Sequence, residues 1–166
     1  MTIAPSKQGL IAKPGQAGID PRGPRFGAGI TAVLLLVVIG LALGGLTPAA
    51  LILFTVITAL FAWGAFAGVT RHPYGLFFKA VIRPRLAAPS HLEDPKPPTF
   101  AQGVGFFITL VGLVLALFGV PLSLVIFPAL AFIAAFLNSV FDYCFGCQIY
   151  LLLVRARVLG RTPGTD

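Results

Sequence analysis

The chain alternates between long apolar runs and short polar segments that hold nearly all of its charge. The first run, residues 26–45, has 20 residues and no charged side chain. That is the length an α-helix needs to cross a hydrocarbon core about 30 Å thick. Gly44-Gly45-Leu46-Thr47-Pro48 breaks it. Further runs follow at 49–69, at 100–119 and, after Val120-Pro121, at 121–141. The pattern predicts an all-α fold, an integral membrane bundle of four transmembrane helices.

Apolar sequence continues past the fourth run. From Val120 to Val154 it is interrupted mainly by Asn138, Ser139, Asp142 and Gln148. As one straight helix those 35 residues would be about 52 Å long at ~1.5 Å per residue, well beyond the hydrocarbon core. The run must bend. Gly146 is the expected place, with a short helix following at about 147–158. Pro128 adds a kink that a bundle tolerates where neighbours satisfy the freed carbonyl.

The polar segments set the ends. Residues 1–25 are rich in Gly and Pro and carry Lys7, Lys13, Arg22 and Arg25. They lack the short apolar stretch and small-residue cleavage site of a signal peptide, and read as a flexible cytoplasmic arm. Pro21 and Pro24 stiffen its end. Arg22 and Arg25 then stand at the membrane edge, as a positive stop or as a lipid or partner contact. Residues 70–99 form the only sizeable internal loop. Its segment 76–86 mixes apolar residues with Lys79, Arg83 and Arg85 and is too short to cross, which predicts an interfacial segment facing headgroups. Pro89, Pro95, Pro97 and Pro98, with Glu93 and Asp94, predict an exposed linker. The transmembrane domain spans 26–159, and 160–166 form a cytoplasmic tail.

Composition agrees. The 166 residues are 57% hydrophobic and 10% charged, where soluble domains carry about 25% charged residues. Twelve Lys/Arg against five Asp/Glu give +7. No basic patch with interleaved aromatics accompanies that charge, so nucleic acid is not the expected partner. All twelve bases fall in the arm, the 70–99 loop or the C-terminal stretch from Arg155 on, and the turns around 46–48 and 120–121 have none. The positive-inside rule then places both termini in the cytoplasm, with the bilayer and its anionic headgroups as the first partner.

The two halves resemble each other. Phe26 and Phe100, Gly29 and Gly103, Leu41-Ala42-Leu43 and Leu115-Ala116-Leu117, and Gly45 and Gly119 match at an offset of 74. One residue of slip later, Phe61 matches Phe136 and Phe66 matches Phe141, which sets His72 opposite Cys147. Duplication would make two helical hairpins of the same orientation, related by an axis along the membrane normal. The start of the 70–99 loop would then be the counterpart of the cysteine region, with Arg71 and His72 facing it.

The candidate chemistry lies in Asp142-Tyr143-Cys144-Phe145-Gly146-Cys147-Gln148-Ile149-Tyr150. It contains both cysteines, spaced C-x-x-C, and the only acid within the apolar segments. Three readings are open. The cysteines can be small apolar core residues. They can form a dithiol/disulfide site: with a helix restarting near Cys147, Cys144 sits ahead of its N–H groups as the nucleophile and Cys147 resolves the mixed disulfide. Arg71 or His72 would stabilise the thiolate, and Asp142 would move a proton or pair with an arginine. A site on the cytoplasmic side suits exchange with a thioredoxin-like protein, or a persulfide on one cysteine, better than a permanent disulfide. The third reading is metal, with Cys144, Cys147 and His72 as ligands, which leaves a closed zinc site one ligand short. No cofactor motif is present, and Gln148 stands where haem attachment needs histidine.

Three motifs carry a family resemblance: Asp20-Pro21-Arg22-Gly23-Pro24-Arg25-Phe26, His72-Pro73-Tyr74-Gly75, and Cys144-Phe145-Gly146-Cys147 with Tyr150. In that order, over about residues 18–158, the chain resembles the small bacterial membrane proteins called domain of unknown function 4395. The family has no established activity. Its genes often lie near thioredoxin-like and sulfurtransferase genes, so the resemblance implies thiol or sulfur chemistry by association. It also implies the bacterial inner membrane.

The expected function is therefore a membrane thiol-redox or sulfur-handling protein centred on Cys144 and Cys147. An accessory subunit of a larger membrane complex, or a homo-oligomer, is the alternative, with Gly64, Gly68, Gly103 and Gly105 offering close-packing faces. A small transporter is disfavoured, because no acid or base sits mid-span as a proton relay would.

Overall fold

A computed structural model describes residues 10–158. The first nine residues of the arm, with Lys7, and the tail with Arg161 lie outside the described residues. Four long apolar helices make up the bundle: α1 (Arg22–Leu43), α2 (Thr47–Ala67), α4 (Lys96–Leu117) and α5 (Ser123–Phe141). Two short helices, α3 (Pro73–Phe77) and α6 (Phe145–Arg155), follow α2 and α5. Each long helix has the length and apolar composition to cross a membrane, where backbone groups must be satisfied within the segment.

Prolines set two of the starts. Pro97 and Pro98 are not in an exposed linker as expected. They are buried in the first turn of α4, where a helix leaves N–H groups unpaired anyway and proline's missing donor costs nothing. Likewise α1 begins at Arg22, after Pro21 and ahead of the expected 26.

The second part of the arm is not free either. Ile19 and Glu93 exchange backbone hydrogen bonds of 2.9 Å, the Ala12 N–H donates to Leu92 O at 3.0 Å, and Gln16 donates to Asp94 at 3.1 Å. Residues 10–20 thus lie along the linker as a short antiparallel pair. Main-chain pairing between segments so far apart in sequence leaves no trace in composition. The interfacial segment is also tied down. After α3 the chain widens into a π turn (Phe78–Ile82) and then tightens into a 3₁₀ turn (Arg83–Arg85). Phe78 is buried against Gly23 and Phe26, and Phe77 stacks on Phe26 with ring centres 6.1 Å apart.

The halves repeat as helices. α4 starts and ends 74 residues after α1. The main packing partners are crossed: α1 lies chiefly on α5, and α4 chiefly on α2. A two-fold operation exchanging the halves preserves both contacts. Lipid tails give no hydrophobic drive for helix association, so close approach through small residues must supply it. Gly64 accommodates the Gln102 side chain, Gly105 the Phe61 ring and Gly112 the Phe127 side chain. Gly64, Gly103 and Gly105, expected as an outward packing face, are thus used between α2 and α4 of the same chain. Gly68 ends α2 at φ +84°, a conformation suited to glycine.

Along its axis the bundle is uneven. Toward the uncharged turns, Leu35, Val38, Phe54, Ile57 and Leu124 pack into a dense floor. Toward the basic end a cavity of about 370 Å³ remains between the halves. At its mouth Asp20 is almost fully buried and holds two arginines. Arg22 grips it through Nε–Oδ1 at 2.9 Å and Nη2–Oδ2 at 2.7 Å and also donates to Ala87 O at 2.9 Å, and Arg83 Nε lies 3.8 Å away. The Arg22 hydrogen bond keeps the Asp20 carboxyl below its ordinary value despite burial. Because Arg22 is partly exposed, removing the acid costs less than a fully buried pair would. Asp20→Asn should lower stability by roughly 2 kcal/mol, measured as thermal unfolding in mild detergent. An exposed control, Arg85→Gln, should leave it unchanged. The Asp20 contribution is present above the ordinary carboxylate value of 3.8 and is lost as pH falls below it, so the two proteins should converge in acid.

Candidate functional site

α5 stops where its chain adopts a left-handed residue. Asp142 has φ 57°, and the Tyr143 N–H turns back to Leu137 O at 3.2 Å, a wide left-handed turn that ends the helix. Arg25 clamps this turn from α1, donating to Ser139 O at 3.2 Å and lying 3.7 Å from the Asp142 carboxylate. Asp142 therefore serves as an ion-pair partner. The break thus falls at 142–144 and not at Gly146 as expected. Gly146 is in the first turn of α6, pressed on the Ala101 backbone: a Cβ there would lie 2.6 Å from Ala101 Cα. Its smallness brings α6 onto α4 and does not create the bend.

Cys144 is extended and caps α6. Its Sγ accepts the Cys147 N–H at 3.3 Å, and the two cysteines are joined as a disulfide with Cα atoms 5.2 Å apart. Cys147 is buried; Cys144 is half-buried and lines the cavity. The helix starts at Phe145, two residues earlier than expected, which leaves Cys144 at the N-terminal end, where backbone N–H groups and the helix dipole favour a thiolate.

His72 caps α3 in the same way, its Nδ1 accepting the Tyr74 N–H at 3.3 Å. The structural counterpart of His72 is therefore Cys144, not Cys147. His72 also lines the cavity, so both motifs do meet there. Its second nitrogen, Nε2, lies 3.2 Å from Leu60 O, which assigns it the proton. Burial lowers the pKa of this ring, opposed by the Leu60 carbonyl. His72 is then a neutral residue with both nitrogens engaged, and is not the cation expected to stabilise a thiolate. Arg71 is not among the cavity residues either. Its side chain is exposed and its carbonyl accepts the Trp63 indole N–H at 3.1 Å. The metal reading also lacks support: among the described residues no three of His, Cys, Asp and Glu gather as ligands.

Of the arginines expected at lipid or partner contacts, Arg22 and Arg83 hold Asp20, Arg25 holds the 139–142 turn, and Arg85 donates to its own segment at Val81 O. Reading the sequence missed three cavity residues: Asp20, and the amides of Gln102 and Asn138. Asp20 stands in the first motif but resembles an ordinary acid in a polar arm. The amides carry a signal, since polar side chains within apolar spans are expensive. An aromatic groove between α2, α4 and α6, lined by Phe66, Phe106 and Tyr150, reaches neither cysteine.

The sequence profile of a family described as a domain of unknown function, DUF4395, matches residues 19–155. The chain belongs to this family, and the match spans all three motifs. No curated protein and no solved structure matches the chain.

Two outcomes follow from the site's packing. Unfolding lets His72 take up a proton it lacks when native, so thermal stability should fall as pH drops below its ordinary value of 6.5. His72→Gln should be less stable at pH 8 and lose that part of the pH dependence; an unchanged slope would assign it to another group. Gly146→Ala should cost about 1–3 kcal/mol by overpacking α6 on α4, and should speed alkylation of reduced Cys147. Equal melting and equal alkylation would show that α6 is not held by this contact.

Proposed function

We propose that this member of the DUF4395 family is a membrane thiol-redox or sulfur-handling protein. Cys144 is the reacting sulfur, Cys147 the resolving one, and a soluble thioredoxin-like protein the partner. The observation that carries this reading is the asymmetry of the pair: a cavity-lining Cys144 capping α6, bonded to a buried Cys147. In exchange, a partner thiolate attacks Cys144 Sγ, the Cys144–Cys147 bond breaks, and Cys147 leaves as a thiolate at the start of α6. The partner's second thiolate then attacks its own sulfur in the mixed disulfide and releases Cys144. The reverse sequence reduces the partner's disulfide and re-forms the Cys144–Cys147 bond, and sulfane sulfur carried on Cys144 would pass on when an acceptor thiolate attacks the outer sulfur and Cys144 leaves as the thiolate. The basic end of the bundle supports a site on the cytoplasmic face of a bacterial inner membrane, with both termini on that side.

Differential alkylation in oriented membrane vesicles tests the reading. A membrane-impermeant thiol reagent should reach reduced Cys144 from the cytoplasmic side and leave Cys147 slow. Cys147→Ser should trap a mixed disulfide through Cys144 that a dithiol reductant releases. Two thiols that stay reduced and inert through an oxidant challenge would overturn the proposal, as would labelling from the opposite face for its sidedness.

A further inference from the structure

The cavity beside Cys144 extends well beyond the cysteine pair. Its wall runs along α1 from Gly23 to Thr31 and along α4 from Pro98 to Ile108. Ten residues of helix rise about 15 Å, so it reaches from the basic end toward mid-bilayer, where the packed floor closes it. Its volume, about 370 Å³, falls in the ~300–1,000 Å³ range of small-molecule sites.

Its polarity is divided. The charged lining residues Asp20, Lys79 and Arg83 all lie outside the long helices, at the mouth. Deeper, small residues such as Gly27, Gly105 and Ala131 and the Phe61 ring form apolar walls, and Gln102 of α4, whose Oε1 lies over Gly64, and Asn138 of α5 are the two amide residues of the lining. Neither amide has a hydrogen-bond partner among the described residues. Both residues are half-buried, and each amide offers two N–H donors to the cavity. Gln102 follows Ala101, the residue on which Gly146 of the C-x-x-C rests. Gln102, Asn138 and Cys144 all line the same cavity.

We propose that this chamber binds a lipid-soluble quinone, the two-electron oxidant of the Cys144–Cys147 dithiol. The inference rests on the thiol-redox reading and assigns it a direction and a co-substrate. A quinone is a neutral, flat, apolar ring with two carbonyl acceptors. The chamber presents N–H donors from two helices, small-residue walls and no charge at depth. An anionic sulfur substrate would need a cation there, and the lining has none below the mouth. The reaction balances: both S–H bonds break, the Cys144–Cys147 bond forms, and two electrons and two protons pass to the quinone oxygens to give the quinol. The soluble dithiol partner then reduces the disulfide from the mouth side.

The test uses the full chain in lipid nanodiscs, reduced and freed of reductant. The probe is a decyl-substituted benzoquinone with no open ring position, which limits direct thiol addition. Quinone absorbance and cysteine alkylation are followed together. Saturable reduction is expected, with one quinone consumed per disulfide formed. Gln102→Leu and Asn138→Leu should each lower quinone reduction about tenfold relative to their own rate of exchange with a small dithiol, the loss of one buried hydrogen bond. Equilibrium binding of the probe to the unaltered protein, at one per chain, is the second measurement should either variant fail to fold. Cysteines that exchange with a dithiol but ignore the quinone would overturn the inference and leave the thiol reading standing. Inert cysteines would overturn both. Non-saturable reduction, equal in all three proteins, would mark uncatalysed chemistry and overturn it too.

Discussion

An apolar run of 35 residues cannot cross a bilayer as one straight helix, and the way this chain resolves that excess length creates its candidate site. Asp142 takes the left-handed turn, Arg25 reaches from α1 to hold the Ser139 carbonyl and the Asp142 carboxylate, and the chain restarts at Phe145 as α6. Both cysteines fall at that restart. Without the break, Cys144 would be one more side chain on a lipid-embedded helix. With it, its sulfur meets the free N–H groups of a helix start.

The same device is built twice. After α2 the chain leaves the membrane through a short turn and restarts α3 at His72, whose ring accepts a backbone N–H as the Cys144 sulfur does at α6. Crossed packing of α1 on α5 and α4 on α2 brings these two restarts to one cavity. The halves differ at the cap itself. One carries a neutral imidazole fully engaged in hydrogen bonds, and the other a redox-capable sulfur. His72, with both nitrogens engaged, holds the start of α3 in place.

Packing explains why a cavity persists in so small a bundle. At the uncharged end, Phe54, Leu35 and Ile57 fill the space between helices. At the basic end much of the lining is glycine and alanine, and the close approaches at Gly64 and Gly112 lie outside it. The mouth is edged by the buried Asp20 with Arg22 and Arg83, and by residues 18–19 of the arm paired to the linker. These contacts fix the polar segments over the opening.

Membrane helices must satisfy their backbone internally and present apolar side chains to lipid. Length and hydropathy alone therefore determined the four spans, the all-α class and the gathering of charge at one end. The offset of 74 between the halves was legible for the same reason, because matching side chains occupy matching helix positions. Other features depend on contacts between residues far apart in sequence, which no local pattern encodes. Only the tertiary structure decided that Arg25 rather than Gly146 sets the break, that Pro97 and Pro98 open a helix, that Asp20 is a buried anchor and that His72 is neutral. It alone also placed Gln102, Asn138 and Cys144 on the wall of one cavity, since residues on different helices share a cavity only once those helices have packed.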